Sequence, residues 1–277
     1  RLSFSEYEEN LKYRSPAGNF STFGNHETNK MYNRYSIETP FFEALGDRVF
    51  FGLWKLAAGF STSRSIVRTY DNAVYNSPDP YFHNTPFKIK GSPVNADSDI
   101  PTPHGKTKLS EDFDAKKITG YNGGFVNSAR FGFAYDSRDF SLDPNKGVLC
   151  ELTHEVSRKF VGSDFHFGKT FTQVKFFYSP FPEKFKKFVI AGRVAGAYVS
   201  GKAPFSTYSN FNGTDSYIVA LGGSSTLRGY QLSRFVGPVT GFANLEIRWK
   251  FFEMSGDESH FTFHLIPFFD TGRVWDD

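Results

Sequence analysis

The sequence predicts an all-β fold, and within that class a transmembrane antiparallel β-barrel of the outer-membrane kind. Three observations carry this. Period-two alternation of apolar and polar residues recurs along the chain, while helical periodicity is nearly absent. Aromatic residues make up 18% of the 277 residues, with 34 Phe and 14 Tyr, yet the mean hydropathy is only −0.41. A wall that turns aromatics toward lipid and keeps a polar interior needs both. The connections also sort by length into two sets, as they do in barrels with short turns at one membrane face and long loops at the other.

The elements follow in order. Residues 1–30 form an N-terminal segment, with one candidate strand near 2–14, and eight strands are expected at about 31–43, 48–69, 126–137, 147–158, 164–179, 187–200, 240–253 and 260–275. In "SARFGFAYD", Ala129, Phe131, Phe133 and Tyr135 share one face, and Ser128, Arg130, Gly132 and Asp136 the other. "GVLCELTHEVS" sets Val148, Cys150, Leu152 and Val156 against Glu151, Thr153, Glu155 and Ser157. "FANLEIRWKFF" turns Ala243, Leu245, Ile247, Trp249 and Phe251 one way and Asn244, Glu246, Arg248 and Lys250 the other. Many of these runs exceed the usual ~5–6 residues of a strand, which suits tilted barrel strands.

Short turns are expected at "ALGDR" (44–48), "DFSLDPNKG" (139–147), "PFPEKFK" (180–186) and "EMSGDES" (253–259). At the opposite end stand two long connections, 70–125 and 201–239, and a short one near 159–163. The 70–125 segment holds six prolines and little alternation, so it reads as an irregular outer loop or lid. The rival fold is a soluble sandwich or jelly roll with its aromatics inside. It gives no reason for loop lengths to segregate by end, and one core has no room for so many aromatics. No stretch reaches the ~18 consecutive apolar residues of a spanning helix, whereas barrel strands need only ~9–11 residues.

Several function classes drop out. With 32 basic against 29 acidic residues the net charge is +3, too weak a field to argue for nucleic acid. Cys150 is the single cysteine, so there is no internal disulfide, and no Cys/His metal spacing surrounds it. Neither G-x-S-x-G nor H-E-x-x-H occurs. His154 lies on an otherwise apolar strand face, and His166, His260 and His264 are scattered near strand ends. No catalytic residue, metal or cofactor is therefore expected, and the chain does not read as an enzyme. "NGT" at 212–214 and "NFS" at 19–21 match glycosylation sequons, a pattern short enough to recur by chance. The opening "RLSFSEYEEN" has neither the charged nor the apolar region of a signal peptide. No feature specifies an oligomeric state.

The loop "LGGSSTLRGYQLSRFVGP" (221–238) places Arg228 in the most glycine- and serine-rich stretch of the chain. Glu246 lies on the polar face of the next strand, and "IPFFDTGRVW" then puts Phe268, Asp270 and Gly272 on one face at spacing two. Same-face positions on adjacent antiparallel strands lie within reach of one long side chain. If the 201–239 loop folds back into the lumen, Arg228 meets both carboxylates, and Gly272 leaves room for its stem. A guanidinium suits the role because it stays charged and presents a planar fork. Gly222, Gly223 and Gly229 let the loop turn tightly.

"GGSSTLRGY", then "GFANLEIRW", then "FFDTGRVW" resembles the carboxy-terminal barrel of the BamA-type bacterial surface antigen superfamily, which includes outer-membrane assembly factors and two-partner secretion translocators. The resemblance implies that the arginine motif falls on Leu227, Arg228, Gly229 and Tyr230. Its partners on the barrel wall are Glu246 and Asp270, with Phe268 and Gly272 completing an F-x-D-x-G element. "FAYDSRD" and "DPNKGVL" resemble the family's Y-D-x-R and P-x-x-G pair at Tyr135, Asp136, Arg138, Pro144 and Gly147. The likeness covers about residues 126–277.

It implies a Gram-negative outer-membrane location, outer-membrane lipids as surroundings and unfolded outer-membrane proteins as clients. The family usually carries soluble POTRA domains before the barrel, which residues 1–45 do not resemble, and continues for about three strands beyond F-x-D-x-G. The expectation is thus about twelve strands when complete, with sixteen as the alternative, and the last strands absent from this chain. Protein insertion or translocation, a passive channel, and a barrel that handles lipid or perturbs the membrane all stay open as functions.

Overall fold

The computed structural model of the chain describes residues 2–5, 8–12, 34–69, 107–180, 188–214, 217–255 and 260–275. They form an antiparallel meander. Strands β1 (Leu2–Ser5), β2 (Glu8–Lys12), β3 (Arg34–Glu38), β4 (Phe41–Phe50) and β5 (Trp54–Thr69) come first. After helix α1 (Lys108–Asp114) follow β6 (Gly124–Asp136), β7 (Gly147–Ser157), β8 (His166–Tyr178) and β9 (Phe188–Lys202). A short hairpin of β10 (Asn210–Asn212) and β11 (Tyr217–Val219) precedes β12 (Val239–Ser255), β13 (His260–Leu265) and β14 (Phe268–Trp275).

Neighbours in the main sheet run β1, β4, β5, β6, β7, β8, β9, β12, β13, while β3 continues β4 alongside β5 and β14 continues β13 alongside β12. Two of the long passes break at a proline, β3/β4 at Thr39–Pro40 and β13/β14 at Ile266–Pro267. Proline has no N–H to give the ladder. Its carbonyl still serves: Arg64 N–H donates to Pro40 at 3.1 Å and Ile247 N–H to Pro267 at 3.0 Å. The strand anticipated near residues 2–14 is present as β1, paired with β4, and β2, paired with β3. Among the described residues β1 and β13–β14 do not pair with each other, so the sheet is open there.

Alternation sets the two faces. Leu56, Phe131, Phe133, Leu152, Val174, Phe176, Val194 and Leu245 are exposed on the outer face. The inner face buries Ser128, Glu151, Thr153, Glu155, Lys169, Phe171, Gln173, Ala195 and Phe242. An exposed apolar wall around a covered, partly polar interior is a soluble protein turned inside out, and it fits lipid outside.

Two expectations are corrected. The turn expected at 44–48 does not exist, because Leu45, Gly46 and Asp47 pair within β4–β5 with Gly59, Ala58 and Ala57. Gly46–Asp47 looked like a turn signal, but Gly46 meets nothing and Asp47 takes Lys55 at 3.6 Å. The chain reverses instead at Phe51–Gly52–Leu53, where φ is +51° and +70° at the first two residues and Leu53 N–H closes onto the Phe50 carbonyl at 3.2 Å.

The far end of the segment read as irregular, 70–125, is ordered. Thr107 caps α1 by accepting from Ser110 N–H at 3.4 Å, Lys108 pairs with Asp112 at 3.0 Å, and Leu109 is buried with Ile118, Tyr35, Ile37 and Phe205. Residues 13–33, 70–106, 181–187 and 256–259, which hold the rest of that loop, most of the N-terminal segment with its "NFS", and most of two expected short turns, lie outside the described residues.

Candidate functional site

Residues 203–238 leave β9 and return to β12 across the inner face of the sheet. Room exists because two inner-face positions of β9 are small: Ala195 and Ala197 are both buried against the loop. Phe211, Ile218, Ala220, Leu221 and Val236 of the loop pack there against Phe171 and Phe242 of the wall, with Phe171 and Phe211 stacked at 5.8 Å. This apolar contact holds the body of the loop; its tip is held by charge.

At the tip, Gly222 (φ +120°) approaches the backbone so closely that a Cβ would sit 2.0 Å from the Gln231 carbonyl oxygen. The buried Thr226 hydroxyl accepts from Gly222 N–H at 3.0 Å and reaches the Ala220 and Gly222 carbonyls at 3.1 and 2.9 Å. Leu227 is buried, Gly229 takes φ +89°, and Arg228 between them is aimed at the wall.

Its Nε and Nη2 donate to Oδ2 and Oδ1 of Asp270 at 2.7 and 2.6 Å, and its backbone N–H to Oδ2 at 3.0 Å. Nη1 donates to Glu246 at 2.7 Å, and the guanidinium lies 3.7 Å from the Phe268 ring centre. The register explains the meeting: Asn244 is opposite Asp270, and Glu246 is opposite Phe268. Asn244 completes the cluster, donating to Asp270 at 2.7 Å and to the Thr226 carbonyl at 2.8 Å. Arg193 donates to Asn244 at 2.6 and 2.9 Å and to the Ser225 carbonyl.

The structure thus brings Arg228, Glu246, Phe268 and Asp270 together. Tyr230 stands apart, its ring edge-on to Phe235 at 5.3 Å. Gly272 lines the same wall for a different reason from the one expected. A Cβ there would meet Leu221 at 3.0 Å and Phe242 at 3.1 Å, so the space it leaves is filled by Leu221 and not by the arginine stem.

A second anchor escaped the sequence reading. Asn212 Nδ2 donates to Glu155 at 2.9 Å, Thr214 Oγ1 to Glu151 at 2.8 Å, and Lys169 Nζ to Asn210 at 2.8 Å. The β10–β11 hairpin is thereby docked on β7 and β8. The residues set aside as a chance sequon are the ones that dock. The available signal was on the wall, where Glu151, Thr153 and Glu155 form a buried polar row that requires partners.

At the end of the sheet away from the β4–β5 turn, the loop meets the 107–123 segment: Phe205 N–H donates to Thr119 O at 3.0 Å, and Thr119 Oγ1 to the Ala203 carbonyl. At the other end, Arg138 grips Asp136 through two bonds of 2.8 and 2.7 Å and holds the Ser141 carbonyl at 3.1 Å. Gly147 is needed at φ +109°, since a Cβ would lie 2.4 Å from the Ser137 oxygen. Arg248 ties this turn to the cluster, bonded to Glu246 at 3.0 Å and to Asp143 at 3.4 Å. Asp139 accepts three backbone N–H groups in the turn, from Phe140, Asn145 and Lys146. Desolvation pushes its carboxyl up, but those bonds, led by Lys146, outweigh it and hold the group below the usual carboxylate range.

Among the described residues no group of three or more His, Cys, Asp or Glu could hold a metal ion. The family model described as the Omp85 superfamily domain matches residues 10–277. No curated protein matches the chain. The crystal structure of BamA from Haemophilus ducreyi lacking POTRA domains 1–3 is similar in fold, with a TM-score of 0.58 and 14% identity. The match covers 99% of this chain and 47% of that one, so the chain spans about half the length of that structure's chain.

Proposed function

The chain belongs to the Omp85 superfamily and is a non-enzymatic β-barrel protein of the Gram-negative outer membrane, and from that premise we propose that it inserts or translocates other outer-membrane proteins while a pinned loop closes its lumen. The observation that carries the reading is the Arg228 cluster. One loop side chain holds carboxylates on two adjacent strands, Glu246 on β12 and Asp270 on β14.

Such a pin couples the position of the loop to the geometry of the sheet. Spreading β12 from β14 breaks one arm of the fork, and withdrawing the loop takes the guanidinium away from both carboxylates at once. The packing of Phe211, Leu221 and Val236 against the wall argues against a passive pore. Clients would be unfolded outer-membrane proteins, and the surrounding partner is lipid.

The test is the rate at which an unfolded client barrel inserts into liposomes with and without the protein. Acceleration that is lost in Arg228→Ala supports insertion with the pin in the mechanism. Acceleration unchanged in that variant makes the pin architectural. No acceleration at all moves the function to lipid handling or membrane perturbation.

A further inference from the structure

We propose that the β4–β5 turn is a lipid anchor: Phe51 and Leu53 seat in the phospholipid interface at the short-turn end of the barrel. The stretch Val49–Trp54 reads VFFGLW, a reversal with no polar side chain. Turns in water are ordinarily built from Gly, Asn, Asp, Ser and Pro, whose side chains water solvates.

Two independent features mark this turn as built for something other than water. Phe51 is 94% exposed, and it occupies φ +51°, a backbone region that Gly, Asn or Asp adopts far more readily than a bulky residue. A large apolar side chain held in an unfavourable backbone conformation with none of the described residues covering it is a cost without a return, unless another phase covers it.

The occupant follows from continuity with the lipid-facing wall. Trp54 closes β5 against Phe50 and packs on the outer-face rings of Phe133 and Tyr135 at 5.3 and 4.7 Å. Trp and Tyr concentrate where a barrel crosses the membrane–water interface. The tip lies one residue beyond this belt, about 3 Å at the rise of a strand, and the interfacial layer is roughly 5–7 Å deep. Arg48, on the outer face one pair inward, lays its guanidinium 5.3 Å from the Phe50 ring centre, toward the tip. That is the posture of a cation reaching for headgroup phosphates. The inference rests on the barrel's place in the membrane and is independent of what the Arg228 pin does.

The test uses the full chain refolded into phosphatidylcholine–phosphatidylglycerol vesicles, with Cys150→Ser removing the native thiol. An environment-sensitive fluorophore is attached at Leu53→Cys or, as a polar-turn control, at Asn145→Cys. Folding of each variant is checked by its heat-dependent shift on a gel. The expected result is blue-shifted emission at position 53, with severalfold stronger quenching by a lipid-borne nitroxide than at 145 and weaker quenching by iodide. Adding Phe51→Asn, which suits the positive φ, should keep the barrel folded and return the position-53 signal toward the control. Equal quenching at the two positions overturns the proposal, as does a blue shift without lipid quenching, which would mean that protein covers the turn.

Discussion

Truncating Arg228 to alanine removes three side-chain bonds and a guanidinium–ring contact, but it does not strip either carboxylate bare. Asp270 is the more vulnerable, with a side chain only 4% exposed. It keeps the Asn244 amide at 2.7 Å and, while the loop stays seated, the backbone N–H at 3.0 Å. Glu246 keeps Arg248 at 3.0 Å. Breaking one side of a fully buried ion pair costs about 3–5 kcal/mol. The retained partners and the 22–23% exposure of Arg228 and Glu246 place this case lower, at about 2–3 kcal/mol. At a factor of ten per ~1.4 kcal/mol, opening of the loop becomes roughly 30- to 150-fold easier. Hydrogen exchange read on peptides spanning 219–236, in lipid nanodiscs, should show that loss of protection while β7 and β8 keep theirs. Protection within about threefold of the parent protein would refute the reasoning, because the apolar packing alone would then hold the loop.

The second anchor should be worth less and act independently. Asn212→Ala is expected to lower protection of the β10–β11 hairpin by about 1–2 kcal/mol, and its effect should add to that of Arg228→Ala within ~0.5 kcal/mol because the two clusters share no partner. Ile247, outward on β12 and opposite Ile190, should lose about 2–4 kcal/mol on change to Arg if it sits near the bilayer midplane, as read from a reversible folding titration into lipid. Asp139 gives the 139–147 turn a pH dependence. Its carboxyl is held below the ordinary range in the folded turn, so its contribution is present above the unfolded pKa and disappears as pH falls through the folded one. Asp139→Asn should therefore weaken protection of the 139–147 turn at neutral pH, and its effect should shrink as the pH falls below the ordinary carboxylate range toward the lowered folded pKa.

What the sequence disclosed depended on whether a signal was local. Strands β6, β7 and β12 were legible because their period-two pattern is long and unbroken. Arg228, Glu246 and Asp270 were legible because spacing two on neighbouring strands implies adjacency. The 44–48 turn failed because Gly46–Asp47 carries turn chemistry at a place where cross-strand pairing with β5 wins, while the real reversal at Phe51–Leu53 carries none. Rules for turns assume water, and this turn is apolar throughout. The Asn212 and Thr214 contacts were hidden for another reason: they depend on where a loop lands on a wall more than fifty residues away in sequence. The role of Gly272 was half legible. That a small residue was needed could be read, but not that Leu221 would claim the space.

The pair of alanines on the inner face of β9 has a consequence for anyone who would transplant parts between members of this superfamily. Ala195 and Ala197 form a recess in which Phe211, Leu221 and Val236 pack. A loop exchanged alone would bring foreign bulk to a recess that does not fit it, or leave the recess hollow. A working chimera would have to carry strand and loop across together as one heritable unit, and the Arg228 motif, however well matched, would not rescue a graft that moved only one of them.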